Sequence, residues 1–80
     1  MSGELAAANK IVGLKQFRKA LKAGKITVAY LADDADPLLS KPLLQACMAG
    51  RIEVIHVPTM RELGTRCGIS VPSACAAIVR

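Results

Sequence analysis

The stretch Ile26-Thr27-Val28-Ala29-Tyr30-Leu31-Ala32, followed by Asp33-Asp34-Ala35-Asp36-Pro37, decides the fold class. Its first seven residues are almost continuously apolar, which suits a strand buried on both faces. The aspartates and proline then punctuate it sharply. A strand of that kind needs helices above and below it, and the flanking sequence supplies them. On the N-terminal side, Leu14, Phe17 and Leu21 recur at helical spacing up to about Ala23, and Gly24 fits the left-handed residue that ends a helix. On the C-terminal side, Ser40-Lys41-Pro42 reads as a helix start, proline being tolerated in a first turn. Leu43, Leu44 and Cys47 continue that helix to Gly50.

Ile52 to Val57 reads as a second strand. Pro58-Thr59-Met60-Arg61-Glu62 then offers a capping box, with Thr59 reaching the N–H of Glu62 and the Glu62 carboxylate reaching back. The helix it opens ends at Gly68, and Ala74 to Val79 forms a third apolar strand. Ile11-Val12 is a brief extended piece, and Ser2 to Asn9 an alanine-rich helix with Ser2 as its cap. Strands alternating with helices predict an α/β fold, a three-layer α/β/α sandwich with a small mixed sheet of about four strands. Eighty residues, without repeats or linkers, fit a single domain over 1–80.

Composition narrows the function classes. The chain is 52% hydrophobic but 2% aromatic, so its core must be aliphatic and alanine-rich, and disorder is disfavoured. A net charge of +5 makes polyanions the default partner class. Cys47, Cys67 and Cys75 are dispersed, with no CxxC pair, which suits neither a disulfide framework nor a zinc site. Reduced thiols in a cytoplasmic protein are the expectation. The first residues carry Glu4 and no continuous apolar run, unlike a signal peptide, and nothing approaches the roughly 20 apolar residues of a membrane span.

Gly13-Leu14-Lys15-Gln16-Phe17-Arg18-Lys19-Ala20-Leu21 carries the most chemistry. Leu14, Phe17 and Leu21 fall on one face, Lys15, Lys19 and Lys22 on the other. The basic face lies beside a helix N-terminus, where free N–H groups favour an anion, and Gly13 has no Cβ to obstruct a ligand's backbone. The plain alternative is a solvated lysine row. The loop Cys67 to Ser73 is the second unusual segment: Ile69 and Val71 either form an apolar tip for an unstacked base or fold back into the core. Asp33, Asp34 and Asp36 could hold Mg²⁺ at a strand end, or simply cap and turn the chain. His56, the single histidine, has a Cys–His couple as its catalytic reading and a structural place in a strand as its plain one. No Gly-rich phosphate loop or nucleophile elbow is present. Neither a cofactor nor a metal is expected.

Three ordered blocks, Gly13 to Leu21, Ala32 to Pro37 and Leu63 to Pro72, together resemble the kink-turn-binding ribosomal-protein superfamily, in its small bacterial branch of the YbxF type. The resemblance spans essentially the whole chain. It implies an α/β/α sandwich without enzymatic activity. The implied target is the kink-turn, an RNA helix bent at a three-nucleotide bulge beside tandem sheared G·A pairs. Archaeal and eukaryotic members of the superfamily carry Gly-x-Asn-Glu-x-x-Lys in the first block; here Gly13 and Lys19 match, and Lys15 and Gln16 replace the Asn and Glu. By similarity Lys15 and Gln16 meet guanine edges, with Lys19 close by or on a phosphate. Ile69, Ser70 and Val71 match the loop over the bulged nucleotides. Lys22 and Arg66 are further phosphate contacts. Phe17 departs from the small polar residue often found at its position and is expected to point into the core. The aspartate block is then structural, opening the next helix away from the RNA. The implied partner is a ribosomal RNA element or riboswitch-like RNA, with the ribosome itself a further candidate, no membrane, and the protein a monomer. The rival readings are a protein–protein module with a basic face, and a small metal- or thiol-dependent enzyme using Asp33, Asp36 or a cysteine.

Overall fold

The computed structural model describes residues 9–80, so the helix expected over the preceding alanine-rich stretch lies outside the described residues. From there the chain alternates as its apolar runs predict: β1 (Lys10–Val12), α1 (Leu14–Lys22), β2 (Ile26–Ala32), α2 (Pro37–Ala49), β3 (Glu53–Val57), α3 (Met60–Arg66) and β4 (Cys75–Val79). The strands form one mixed sheet in the order β1-β4-β2-β3. β2 and β3 are parallel, as a helical crossover requires, and β4 runs antiparallel to both of its neighbours.

The period-2 alternation of the strands builds two cores. Ala29, Leu31, Cys75 and Ala77 pack against Phe17 and Ala20 of α1 and Leu43 and Cys47 of α2. Tyr30, Ala32, Val57 and Ala76 face the opposite way, onto Leu63 of α3 and Cys67 just after it. The three layers expected from the sequence are therefore present. Alanines at 29, 76 and 77 are fully buried in the two central strands, and their small side chains let the helices sit close to the sheet. Thr27 departs from a strand buried throughout: it is exposed, and its hydroxyl donates to the Ile78 carbonyl at 3.0 Å.

One helix start and half of one cap differ from the sequence reading. α2 begins at Pro37, opened by the aspartate block as the resemblance implied and not at Ser40, because Asp36 Oδ1 accepts the Leu38 N–H at 3.0 Å and Pro37 needs no donor at the first helical position. Pro42 is then carried inside the helix on its exposed side, at the loss of one intrahelical hydrogen bond. At α3 half of the capping box forms: Thr59 Oγ1 accepts the Glu62 N–H at 3.0 Å, but the Glu62 carboxylate turns to Arg66 Nη2 at 2.7 Å. An oppositely charged side chain one turn ahead outcompetes the neutral N–H of the cap.

At the end of α2 the left-handed conformation falls on Arg51, φ 57°, one residue after Gly50. An L side chain pays for that geometry and glycine does not. Arg51→Gly is therefore expected to raise stability by about 0.5–1 kcal/mol, and Asp36→Ala to lower it by about 1 kcal/mol through loss of the cap. Urea midpoints at constant m-value measure both.

Candidate nucleic-acid interface

Gly13 sets the direction of α1. At φ +96° it has a backbone that side-chain-bearing residues rarely adopt, and its N–H donates to the Cys75 carbonyl at 3.0 Å. Its own carbonyl accepts from Phe17 N–H at 2.9 Å, and no side chain caps the helix. The N–H groups of Leu14, Lys15 and Gln16 consequently project from the helix start with no intrahelical acceptor. Full burial of Phe17, as its helical position predicts, fixes the rotation of α1. Lys15, Gln16, Arg18, Lys19 and Lys22 are all exposed, and no carboxylate lies on this helix. Lys22 sits in its last turn, about 10 Å along the axis from Lys15.

The loop after α3 is built by close backbone approach. Gly68, φ +80°, reverses the chain, and Ile69 N–H donates back to the Gly64 carbonyl at 3.1 Å. Gly64 has no room for a Cβ, which would penetrate the Val71 carbonyl oxygen. The two alternatives for the apolar pair are divided between them: Ile69 is half-buried on the α3 core, whereas Val71 stands 59% exposed beside exposed Ser70. Ser73 closes the loop, its N–H donating to the Met60 carbonyl at 2.9 Å and its hydroxyl to the Cys75 carbonyl at 2.7 Å. One carbonyl thus receives both Gly13 and Ser73 and joins the start of α1 to the end of the loop.

Between α3 and this loop lies an open groove of about 270 Å³ lined by Arg61, Thr65, Ile69, Ser70, Val71 and Pro72. Arg61 and Thr65 were missed by sequence reasoning. Their signal is the four-residue spacing that puts both on one exposed side of α3, with the Thr65 hydroxyl donating to the Arg61 carbonyl. Arg66 stands apart from α1, on the helix across the sheet, with its guanidinium engaged by Glu62.

The aspartates act as structure, but their place differs from the expectation. Because Leu31 pairs with Cys75 and Val12 with Ala76, Asp33 follows β2 at the same end of the sheet as Gly13, two strands or about 10 Å away. Asp36 caps α2, Asp34 Oδ1 accepts the Met60 N–H at 2.8 Å, and Asp33 Oδ1 meets His56 Nδ1 at 3.1 Å. Among the described residues no three His, Cys, Asp or Glu side chains gather as metal ligands. His56 is an exposed residue of the edge strand, whereas all three cysteines are buried. Burial pushes the Cys75 thiol up to about 11 and raises Cys47 and Cys67 as well. Such thiols stay protonated near neutrality and make poor nucleophiles.

Fold and surface charge define a small basic α/β/α domain. The chain belongs to the ribosomal protein L7Ae/L30e/S12e/Gadd45 family, whose model matches residues 4–80. It is 38% identical over 76 residues to an RNA-binding protein of Caldanaerobacter subterraneus subsp. tengcongensis, covering 95% of this chain and 93% of that one. Over the same coverage it is 36% identical to the RNA-binding protein YbxF of Geobacillus stearothermophilus. Among solved structures, the 15.5kD RNA binding protein of Giardia lamblia superposes with a TM-score of 0.84 at 25% identity, over 99% of this chain and 67% of that one. No helix among the described residues is long and apolar enough to cross a membrane.

Two outcomes follow from this geometry. Gly64→Ala should displace the 69–72 loop and cost about 1–3 kcal/mol, read as amide chemical-shift changes centred on Val71 together with a lower urea midpoint. Above its ordinary value of 9.0 the unfolded Cys75 thiol ionises while the native one, at about 11, keeps its proton. The unfolded state then binds fewer protons, so this thiol makes stability fall as pH rises from 9 towards 11. Cys75→Ala should flatten that part of the decline in a pH series of urea melts.

Proposed function

We propose that this chain is a non-catalytic RNA-binding protein that recognises kink-turns and stabilises their bent form. The observation that carries the reading is the junction at the Cys75 carbonyl, where an uncapped, carboxylate-free basic helix start meets a loop with an exposed valine. The names of its bacterial relatives and of the Giardia protein support the RNA partner.

In this reading each side chain does work suited to its chemistry. A regular A-form major groove is too narrow for a helix, but a bend at non-canonical pairs opens it to a helix end. Lys15 donates to guanine O6 or N7, and Gln16, both donor and acceptor, reads a neighbouring base edge. Lys19 neutralises a phosphate, and the open amides beside Gly13 offer a place for another. Ile69 supports the loop from the core, while Ser70 and Val71 cover the unstacked bulge. Lys22 adds a more distant charge, and Arg66 a weaker one because it is shared with Glu62. Binding works as a population shift: a surface complementary to the bent RNA and not to the extended one moves the equilibrium by its difference in affinity. The protein acts as a monomer in the cytoplasm, on a ribosomal or riboswitch-like element, in association with the ribosome where that element is ribosomal.

An end-labelled kink-turn duplex read by energy transfer, beside a control with Watson–Crick pairs in place of G·A, tests the reading. Closure of the intact motif alone is expected, and equal, salt-sensitive binding to both duplexes would overturn it. Gln16→Ala should cost about 1–3 kcal/mol and reduce the preference for G·A pairs, whereas Lys22→Ala should weaken both duplexes alike and reduce the salt slope by about 1.

A further inference from the structure

A second concavity, of about 280 Å³, lies along the flank of α1 away from the aspartates. Its floor is apolar, made by Ile11, Ala20, Ala23 and Val79, and its polar lining is Gln16, Lys19, Lys25 and Arg80. Three of those four are cations drawn from three parts of the chain, and among the described residues no Asp or Glu side chain lines the hollow. The arrangement is tied at the lower end of the sheet. Lys25 N–H donates to the Ala20 carbonyl at 3.1 Å, Arg80 N–H to the Lys25 carbonyl at 3.0 Å, and Arg80 Nη2 to the Gly24 carbonyl at 3.1 Å. That last bond uses one donor of a guanidinium that has five, leaving the fork able to bind an anion.

We propose that Lys25 and Arg80, with Lys19, form a phosphate-binding track that carries the RNA backbone down the flank of α1, beyond the kink and into the adjoining helical arm. The inference rests on the kink-turn reading for the nature of the RNA and on two features of the surface for its course. The hollow is continuous with the proposed base-reading face, since Gln16 and Lys19 belong to both. Charge is also divided along β2: Asp33 and Asp34 follow its C-terminal end, whereas Lys25 precedes its N-terminal end and lines the hollow with Lys19 and Arg80. A polyanion crossing the start of α1 is therefore repelled at one end and drawn towards the other. At nine residues α1 is about 13 Å long, enough for its far end to meet a later phosphate than its start does.

The test uses the full chain and the variant Lys25→Ala/Arg80→Gln, which keeps the backbone bond from the residue-80 N–H to the residue-25 carbonyl. Binding to a kink-turn with long arms and to one with both arms trimmed is measured from 50 to 300 mM salt. The variant is expected to lose affinity for the long-armed RNA several-fold, with a salt slope shallower by about 2, and to bind the trimmed RNA as the parent does. Its preference for G·A over Watson–Crick controls should be unchanged. Parental affinity and slope on the long-armed RNA would overturn the track. If instead the parent failed to prefer G·A pairs, the kink-turn reading would fall, while the arm-dependent slope would still report on Lys25 and Arg80. Coincident urea melts of variant and parent separate lost contacts from lost folding.

Discussion

The carbonyl oxygen of Cys75 is the acceptor that ties the start of α1 to the 69–73 loop, the two parts of the proposed interface. It takes the Gly13 N–H and the Ser73 hydroxyl at 3.0 and 2.7 Å, using both lone pairs. Neither partner is near the other in sequence, so this atom sets the position of α1 relative to the loop. Losing either donor would leave the carbonyl bonded to the other but free one of the two segments it joins. The same contact explains the helix start: with its N–H spent on β4 and its φ at +96°, Gly13 turns α1 outward and leaves the next three amides open.

Small residues make that geometry affordable. Ala29, Ala76 and Ala77 keep the centre of the sheet thin, and Gly64 lets the returning loop lie against α3. A domain this small has little core to spare, so close approach of backbone to backbone replaces bulky side-chain filling. The one large ring on α1, Phe17, serves as the key that fixes the helix's rotation and so which residues reach solvent.

Electrostatics then give the surface a direction. The carboxylates of Asp33, Asp34 and Asp36, which follow β2, are each occupied locally, on His56, Met60 N–H and Leu38 N–H. They order turns and helix starts, and they also bound the basic surface on one side. The cysteines take no part in this, being buried and held as thiols.

Much of this was legible in the sequence where the signal is local. A 100° periodicity assigned Phe17 to the core and Lys15, Lys19 and Lys22 to solvent, and the apolar run 26–32 called for layers on both sides. The start of α2 was misplaced because Ser40-Lys41-Pro42 and Asp36-Pro37 carry competing start signals, and only the formed cap decides between them. Whether Ile69 or Val71 faced outward was likewise beyond local pattern, since the loop's course depends on Gly64 and on Ser73 reaching β4. Strand order placed Asp33 at the same end of the sheet as Gly13, joined Arg80 to Gly24 and Lys25, and gathered the second basic hollow. The sequence by itself determined the elements and the faces of α1, because helical and strand periods act over a few residues. The tertiary structure alone decided which surfaces meet, because sheet order and register are set by pairing between segments far apart in the chain.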